Sequence, residues 1–178
     1  MADAAVTPAA ERPVAAAVHR LNHAVLFVRD ADAAGRFYCE QLGFAVVHRL
    51  AGRAVFLRAN GSTNDHDLGL FSVGDGAAPR TPQGIGLYHL AWQVDTVDQL
   101  ALLQQRLGAA DALVGMSDHG VSRSLYAVDP DGNEFEVMWA VPRDQWPATP
   151  GVAPLDLAAD LARHGGVSTL NQLTVSPV

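Results

Sequence analysis

The chain has 178 residues, a formal charge of −7, and 49% hydrophobic against 17% charged residues, a balance that fits one soluble globular domain with extensions. All twelve basic residues are arginine, which excludes lysine Schiff-base and lysine-base chemistry, and no basic cluster offers a footprint for nucleic acid. Cys39 is the only cysteine, so an intrachain disulfide and a thiolate metal cluster are excluded, and its helix-like surroundings suit a small core residue.

Residues 1–18 are rich in Ala and Pro without a clear period and read as a flexible N-terminal arm. They carry neither a basic start nor a compact apolar run, so no secretory leader is expected. A strand is expected over residues 23–28 (HAVLFV), then an Asp-containing turn and a helix over 32–42 that stops at Gly43. Three strands follow: VVHRL, AVFLR and DLGLFSV. The stretch from Phe71 to Gly86 is long and rich in Gly and Pro, suited to a lid or an interface element. A second strand–helix pair is expected over 89–94 (HLAWQV) and 97–107, the helix stopping at Gly108, followed by LVGMS, SRSLYAV and EFEVMW.

The order strand, helix, three strands thus occurs twice, an internal repeat that divides a body of residues 19–141. Module one covers about 20–75 and module two about 86–141. Residues 142–178 form a C-terminal extension with a proline-rich start and a short helix in LDLAADLARHGG, anchored by Leu155, Leu157 and Leu161 and stopped by Gly165 and Gly166. No apolar stretch approaches the roughly 20 residues needed to span a bilayer. A cytoplasmic protein with no membrane or nucleic-acid partner is expected.

Side chains alternate along a strand. Leu90, Trp92 and Val94 share a face suited to packing on a helix, and His89, Ala91 and Gln93 share the other. His23 likewise lies opposite Ala24, Leu26 and Val28. In the last strand Phe135, Val137 and Trp139 take the packing face, leaving Glu136 opposite with Glu134 and Met138. A carboxylate in such a segment is costly unless something pairs with it. His23, His89 and Glu136 make a set of two imidazoles and one carboxylate that leaves about three coordination positions open, the arrangement suited to non-haem Fe(II), with Mn(II) as the alternative. A lone histidine in a half-buried strand is ordinarily structural, and His19, His48 and His164 are read so; repeat symmetry sets His23 and His89 apart. Glu134 shares the face of Glu136 as a rim residue or substitute ligand.

The segments NHAVLFV, FYCEQLGF, YHLAWQV and DPDGNEFE together resemble the vicinal oxygen chelate superfamily of glyoxalases, bleomycin-resistance proteins, fosfomycin-resistance transferases and type I extradiol dioxygenases. The resemblance covers residues 21–141, about two thirds of the chain. It implies an α+β fold of paired βαβββ modules whose sheets form an open, cupped barrel around a metal held by His23, His89 and Glu136. HDLGLF, from His66, resembles the His-Asp-x-Ala/Gly-Leu motif of the extradiol dioxygenases, and HGVSRSLY resembles them through His119 and Tyr126, the latter ten residues before Glu136.

The resemblance assigns His66 to acid–base assistance of oxygen activation, Tyr126 to hydrogen bonding a substrate oxygen, and His119 to the substrate end of the pocket. It implies a metal-dependent oxidoreductase of aromatic catabolism that cleaves a catechol-like ring, with a small aromatic substrate and O2 as partners and a homodimer as the assembly. With one pair of modules where many such enzymes have two, the pocket is expected to be smaller or completed in a dimer. The alternatives lie in the same superfamily. A thiol transferase keeps the triad but usually carries basic phosphonate-binding residues, and Arg123 has the wrong parity for that. A glyoxalase-type lyase generally adds a Glu near the end of module one, which DLGLFSV lacks, and a metal-free drug-binding protein needs no triad.

Overall fold

The computed structural model describes residues 17–79, 81 and 84–170; the expectations for residues 1–16 and 171–178 fall outside them. In chain order the elements are β1 (Ala24–Val28), α1 (Ala31–Leu42), β2 (Ala45–Leu50), β3 (Ala54–Arg58), β4 (Leu68–Ser72), β5 (Leu90–Val94), α2 (Val97–Ala109), β6 (Leu113–Asp118), β7 (Ser122–Val128), β8 (Glu134–Ala140) and α3 (Leu157–His164). They build two four-stranded sheets of the same plan, β1-β4-β3-β2 and β5-β8-β7-β6. In each, the first strand runs parallel to the last and the remaining pairs are antiparallel. This is the α+β fold of paired βαβββ modules. Among the described residues no ladder joins the two sheets, so they do not close into a barrel.

Local chemistry explains the boundaries. Asp30 caps α1 by accepting the N–H groups of Asp32 and Ala33, and Gly43 closes it in the left-handed conformation at φ 75°. Thr96 and Gln99 form a reciprocal capping box at the start of α2. The expected stop at Gly108 does not occur: α2 runs on through Ala109, the Ala110 N–H still bonds Arg106, and the left-handed residue is Asp111 at φ 54°. Alanines propagate a helix well, and Gly108 lies exposed where a side chain would meet nothing within 4 Å, so no close approach calls for glycine there. Each strand-leading histidine also stands one residue before its strand, which begins at Ala24 or Leu90. Phe71 and Ser72, the end of the expected strand DLGLFSV, complete β4, so the loop begins after them.

The core forms where the helix-bearing faces meet. Val55, Leu57, Leu68 and Leu70 pack beneath Ala31, Ala34 and Tyr38, while Leu125, Phe135, Val137 and Trp139 pack beneath Leu100, Leu103 and Leu107. Burial of each large side chain contributes about 1.5–3 kcal/mol. The two halves share this core: Phe44 meets Trp92 edge-on at 5.0 Å, and Phe37 meets Phe135 at 6.1 Å. Because both helix faces turn inward, the opposite face of each sheet is left out of the core. Val25 is 50% and Phe27 72% exposed on that face of β1.

The Asp129-Pro130-Asp131-Gly132 turn clasps the modules together. The Asp131 carboxylate accepts the Arg29 backbone N–H at 2.9 Å and its guanidinium at 2.6 Å, while Tyr38 donates to Asp129 at 3.3 Å. After β8 the chain makes a short 3-10 turn, Arg143–Gln145, and α3 then lies behind the second sheet with His164 stacked on Trp139 at 5.2 Å. Leu155, Leu157 and Leu161 pack against the core as expected, yet the most buried residues of α3 are Asp160 and His164. No described helix is long and apolar enough to cross a membrane.

Candidate functional site

Strand register builds one cluster on the second sheet. β5 pairs Ala91 with Glu136, and β7 pairs Tyr126 with the same Glu136, so the three strands present their polar faces side by side. His89 Nε2 stands 3.1 Å from Glu136 Oε2. The other carboxylate oxygen accepts a hydrogen bond from Ser124 Oγ at 2.5 Å. Tyr126 lies beside this pair, its ring 5.8 Å from that of His89, and shares a 2.7 Å hydrogen bond with His119 Nε2. Burial, and then the Glu136 charge, raise the Tyr126 phenol above its ordinary pKa, so the hydroxyl is neutral at physiological pH. His89 Nδ1 is buried without a hydrogen bond, and Glu134 Oε1 stands 3.9 Å from it.

A second cluster lies on the first sheet. His23 is exposed at the head of β1 and stacks with His66, ring centroids 4.5 Å apart. His66 Nδ1 pairs with the Asp65 carboxylate at 2.7 Å, and Phe56 meets the His66 ring edge-on at 5.2 Å. Phe71 adds a further wall, 5.7 Å from Phe56. Asp67, the acid of the His-Asp-x-Gly-Leu stretch, turns inward to accept hydrogen bonds from Ala59 N, Ser62 Oγ and Asn64 Nδ2. It therefore shapes the loop that presents His66.

The expected residues fall into two groups, His23 with His66 and His89 with Glu136, Tyr126 and His119. Among the described residues no three His, Cys, Asp or Glu side chains stand so that they could hold a metal ion. The donor chemistry of the second group nevertheless fits a metal. An imidazole nitrogen and a carboxylate oxygen converge on one point, and Ser124 fixes the carboxylate from behind. What one chain does not bring to that point is His23. A cleft of about 500 Å³ opens elsewhere, walled by the core-facing Leu26, Tyr38, Leu90 and Phe135 with Glu134 at its rim.

Ser124 was not a sequence candidate. It is fully buried, and its parity with Tyr126 was the available signal. Arg123 points to the helix side as its parity requires, where it pairs with Asp118 and Asp160 and is unavailable to an anionic substrate at the Glu136 cluster.

The sequence model of the Glyoxalase/Bleomycin resistance protein/Dioxygenase superfamily matches residues 20–137. The chain belongs to this superfamily. Within it, the catechol-2,3-dioxygenase of Bacillus subtilis (strain 168) is 31% identical over 127 residues, 71% of this chain and 43% of that protein. Biphenyl-2,3-diol 1,2-dioxygenase 3 of Rhodococcus globerulus is 36% identical over 121 residues, 66% of this chain and 62% of that one. The chain therefore spans less than two thirds of the length of these curated superfamily relatives. Among solved structures, a glyoxylase/bleomycin resistance protein/dioxygenase domain from Frankia sp. EAN1pec shares the fold at TM-score 0.58 and 24% identity, over 70% of this chain and 100% of that one. A lactoylglutathione lyase from Agrobacterium tumefaciens matches at TM-score 0.51 and 25% identity, over 72% of this chain and 96% of that one. The superfamily match ends before β8 does, leaving the C-terminal extension outside it.

Proposed function

We propose that the protein is a metal-dependent extradiol-type dioxygenase that opens a catechol-like ring with O2, working as a homodimer. The observation that carries the chemistry is the 2.7 Å hydrogen bond between His119 and Tyr126, directly across the strand pair from Glu136. A hydrogen-bonded imidazole and phenol beside His89 and Glu136 support the reading, because such a couple can take a proton from a diol held there. The relatives named for catechol and biphenyl-2,3-diol dioxygenation support the reaction class.

The homodimer reading rests on the split donors and the uncovered face of β1. His89 and Glu136 of one chain take their third donor from the partner subunit's His23, and the partner subunit's His66 arrives with it. The exposed Val25 and Phe27 beside His23 are the apolar surface that such an approach covers. His89 and Glu136 with the partner subunit's His23 would hold Fe(II) or Mn(II), which would supply Lewis acidity for a vicinal diol.

The side chains do the rest. Ser124 keeps one Glu136 oxygen occupied, so the other faces His89. The neutral Tyr126 hydroxyl accepts a proton from a substrate hydroxyl as it gives its own to a neutral His119 at Nε2, so one proton leaves the diol and one arrives on the imidazole. His66, its Nδ1 held by Asp65, presents Nε2 as the opposite proton carrier. Phe56 and Phe71 give this side flat apolar walls that suit an aromatic ring.

The decisive experiment loads the protein anaerobically with Fe(II), adds a panel of catechols, and follows ring-cleavage product and O2 uptake after admitting air. Metal bound with no turnover of any catechol would sink the reading. Protein isolated without chelator and carrying essentially no metal would favour metal-free ligand binding instead. The dimer has its own test. Mixing inactive His23→Ala and Glu136→Ala chains restores one site per mixed dimer, roughly a quarter of the wild-type rate at equal mixing. A site contained in one chain gives no restoration.

A further inference from the structure

The segment after β8 lies outside the superfamily match and contributes no residue to the clusters described above, yet it is bound to the turn that carries His119. Ala153 and Asp118 exchange two backbone hydrogen bonds of 2.9 Å, an isolated antiparallel bridge that fixes the residue just before His119. Pro147 and Pro150 cover the residue just after it: Gly120 sits at φ +77°, and a Cβ there would stand 2.8 Å from Pro147 Cγ. Asp118 Oδ1 accepts the Gly120 N–H at 2.6 Å and Arg123 Nη1 at 2.5 Å, and Arg123 Nε reaches Asp160 Oδ2 on α3 at 2.6 Å. Arg123 and Asp160 are only 11% and 9% exposed, so the link is nearly dry and firm against solvent competition. Farther on, Gly166 donates to Asp98, and Ser168, Thr169 and Leu170 to Asp95, closing the segment on the start of α2.

We infer that residues 142–170 form a strap that sets the His119 ring against Tyr126, with Asp118, Arg123 and Asp160 as positioning residues. The hairpin closes itself through the His119 N–H to Ser122 O at 2.9 Å, which holds the backbone of the turn and leaves the His119 side-chain rotamer to be set from outside. Three independent attachments do so here: the Ala153 bridge in front, the prolines over Gly120, and the Arg123 link to α3 behind. A hydrogen bond of 2.7 Å does not survive a shift of about 1 Å, and such misplacements cost roughly a hundredfold in rate. The catalytic consequence rests on the function proposed above; the placement of the ring does not.

The test uses the full-length protein labelled with 15N-histidine, the His119 signals being assigned by His119→Gln. Asp160→Ala and Pro147→Gly are expected to move the His119 Nε2 signal toward that of an imidazole without a partner. In the metal-loaded protein they lower kcat on a catechol about 10–100-fold with KM changed less than about twofold. Asp160→Glu restores part of both. A strap that only stabilises the fold leaves signal and kcat at wild-type values in the folded variants, and that result overturns the inference. If Asp160→Ala does not fold, Pro147→Gly decides alone, because it uncovers Gly120 without stranding a buried charge. A shifted His119 signal in protein whose loaded wild type cleaves no catechol upholds the strap and rejects the dioxygenase reading.

Discussion

Ser124 shows how much one small hydroxyl can carry. Its side chain is fully buried on β7 and donates to Glu136 at 2.5 Å, leaving the other carboxylate oxygen to face His89. Ser124→Ala removes that donor while preserving volume. The expected outcome is a roughly 10–100-fold loss of Fe(II) affinity with the fold retained, measured by metal titration beside a thermal melt. His66 makes a different prediction, since it is proposed to move a proton rather than hold metal. His66→Phe should bind Fe(II) normally and lose turnover about 10²–10⁴-fold, read from kcat and metal content on the same preparation. Full turnover would refute that role. Strand parity was enough to turn His89 and Glu136 away from the packing faces, because alternation is written within each strand, while Tyr126 was reached through the HGVSRSLY resemblance. Parity set Ser124 on the face of Tyr126, but its diagonal contact with Glu136 was not legible, because it depends on how β7 and β8 align, and that pairing is not written in either strand alone.

At the scale of elements, α3 departs most from what its pattern promised. Leu155, Leu157 and Leu161 marked an amphipathic helix, and they do pack on the core. Asp160 and His164 pack more deeply, because Arg123 and Trp139 on the second sheet await them. No local pattern signals a partner 37 residues away. Burial holds the His164 imidazole below its ordinary pKa, partly opposed by Asp160. The folded state therefore refuses a proton that the unfolded chain accepts. Stability on this account is full above the ordinary histidine value of about 6.5 and is lost as pH falls from there toward the depressed folded value. Urea midpoints taken above and below that range should diverge less in His164→Phe than in wild type; equal divergence would count against the assignment. The ends of α1 and α2 teach a similar lesson. Gly43 stops its helix, while Gly108 does not, because only the first is followed by a strand that must leave at once.

At the scale of the molecule, the repeat made the paired modules legible, and it could not say how they face one another. That is decided by contacts such as Phe44 with Trp92 and Arg29 with Asp131, which join residues of no shared period. They turn both helix layers inward and leave Phe27 exposed beside His23. Phe27→Glu puts a charge on the face proposed to meet a second copy. The expected outcome is a folded monomer by sedimentation that has lost Fe(II) affinity along with the dimer. A dimer of unchanged affinity would separate this face from the site.

Although the two modules share one plan, they carry different side chains on the faces outside the core. The face behind His23 is walled by Phe56 and Phe71, while the face behind His89 bears Ser124, Tyr126 and Glu136. Variation can therefore act on one half at a time. On the proposed function, changes around Phe56 and Phe71 would alter which rings are admitted and leave the His119–Tyr126 couple of the second sheet as it is.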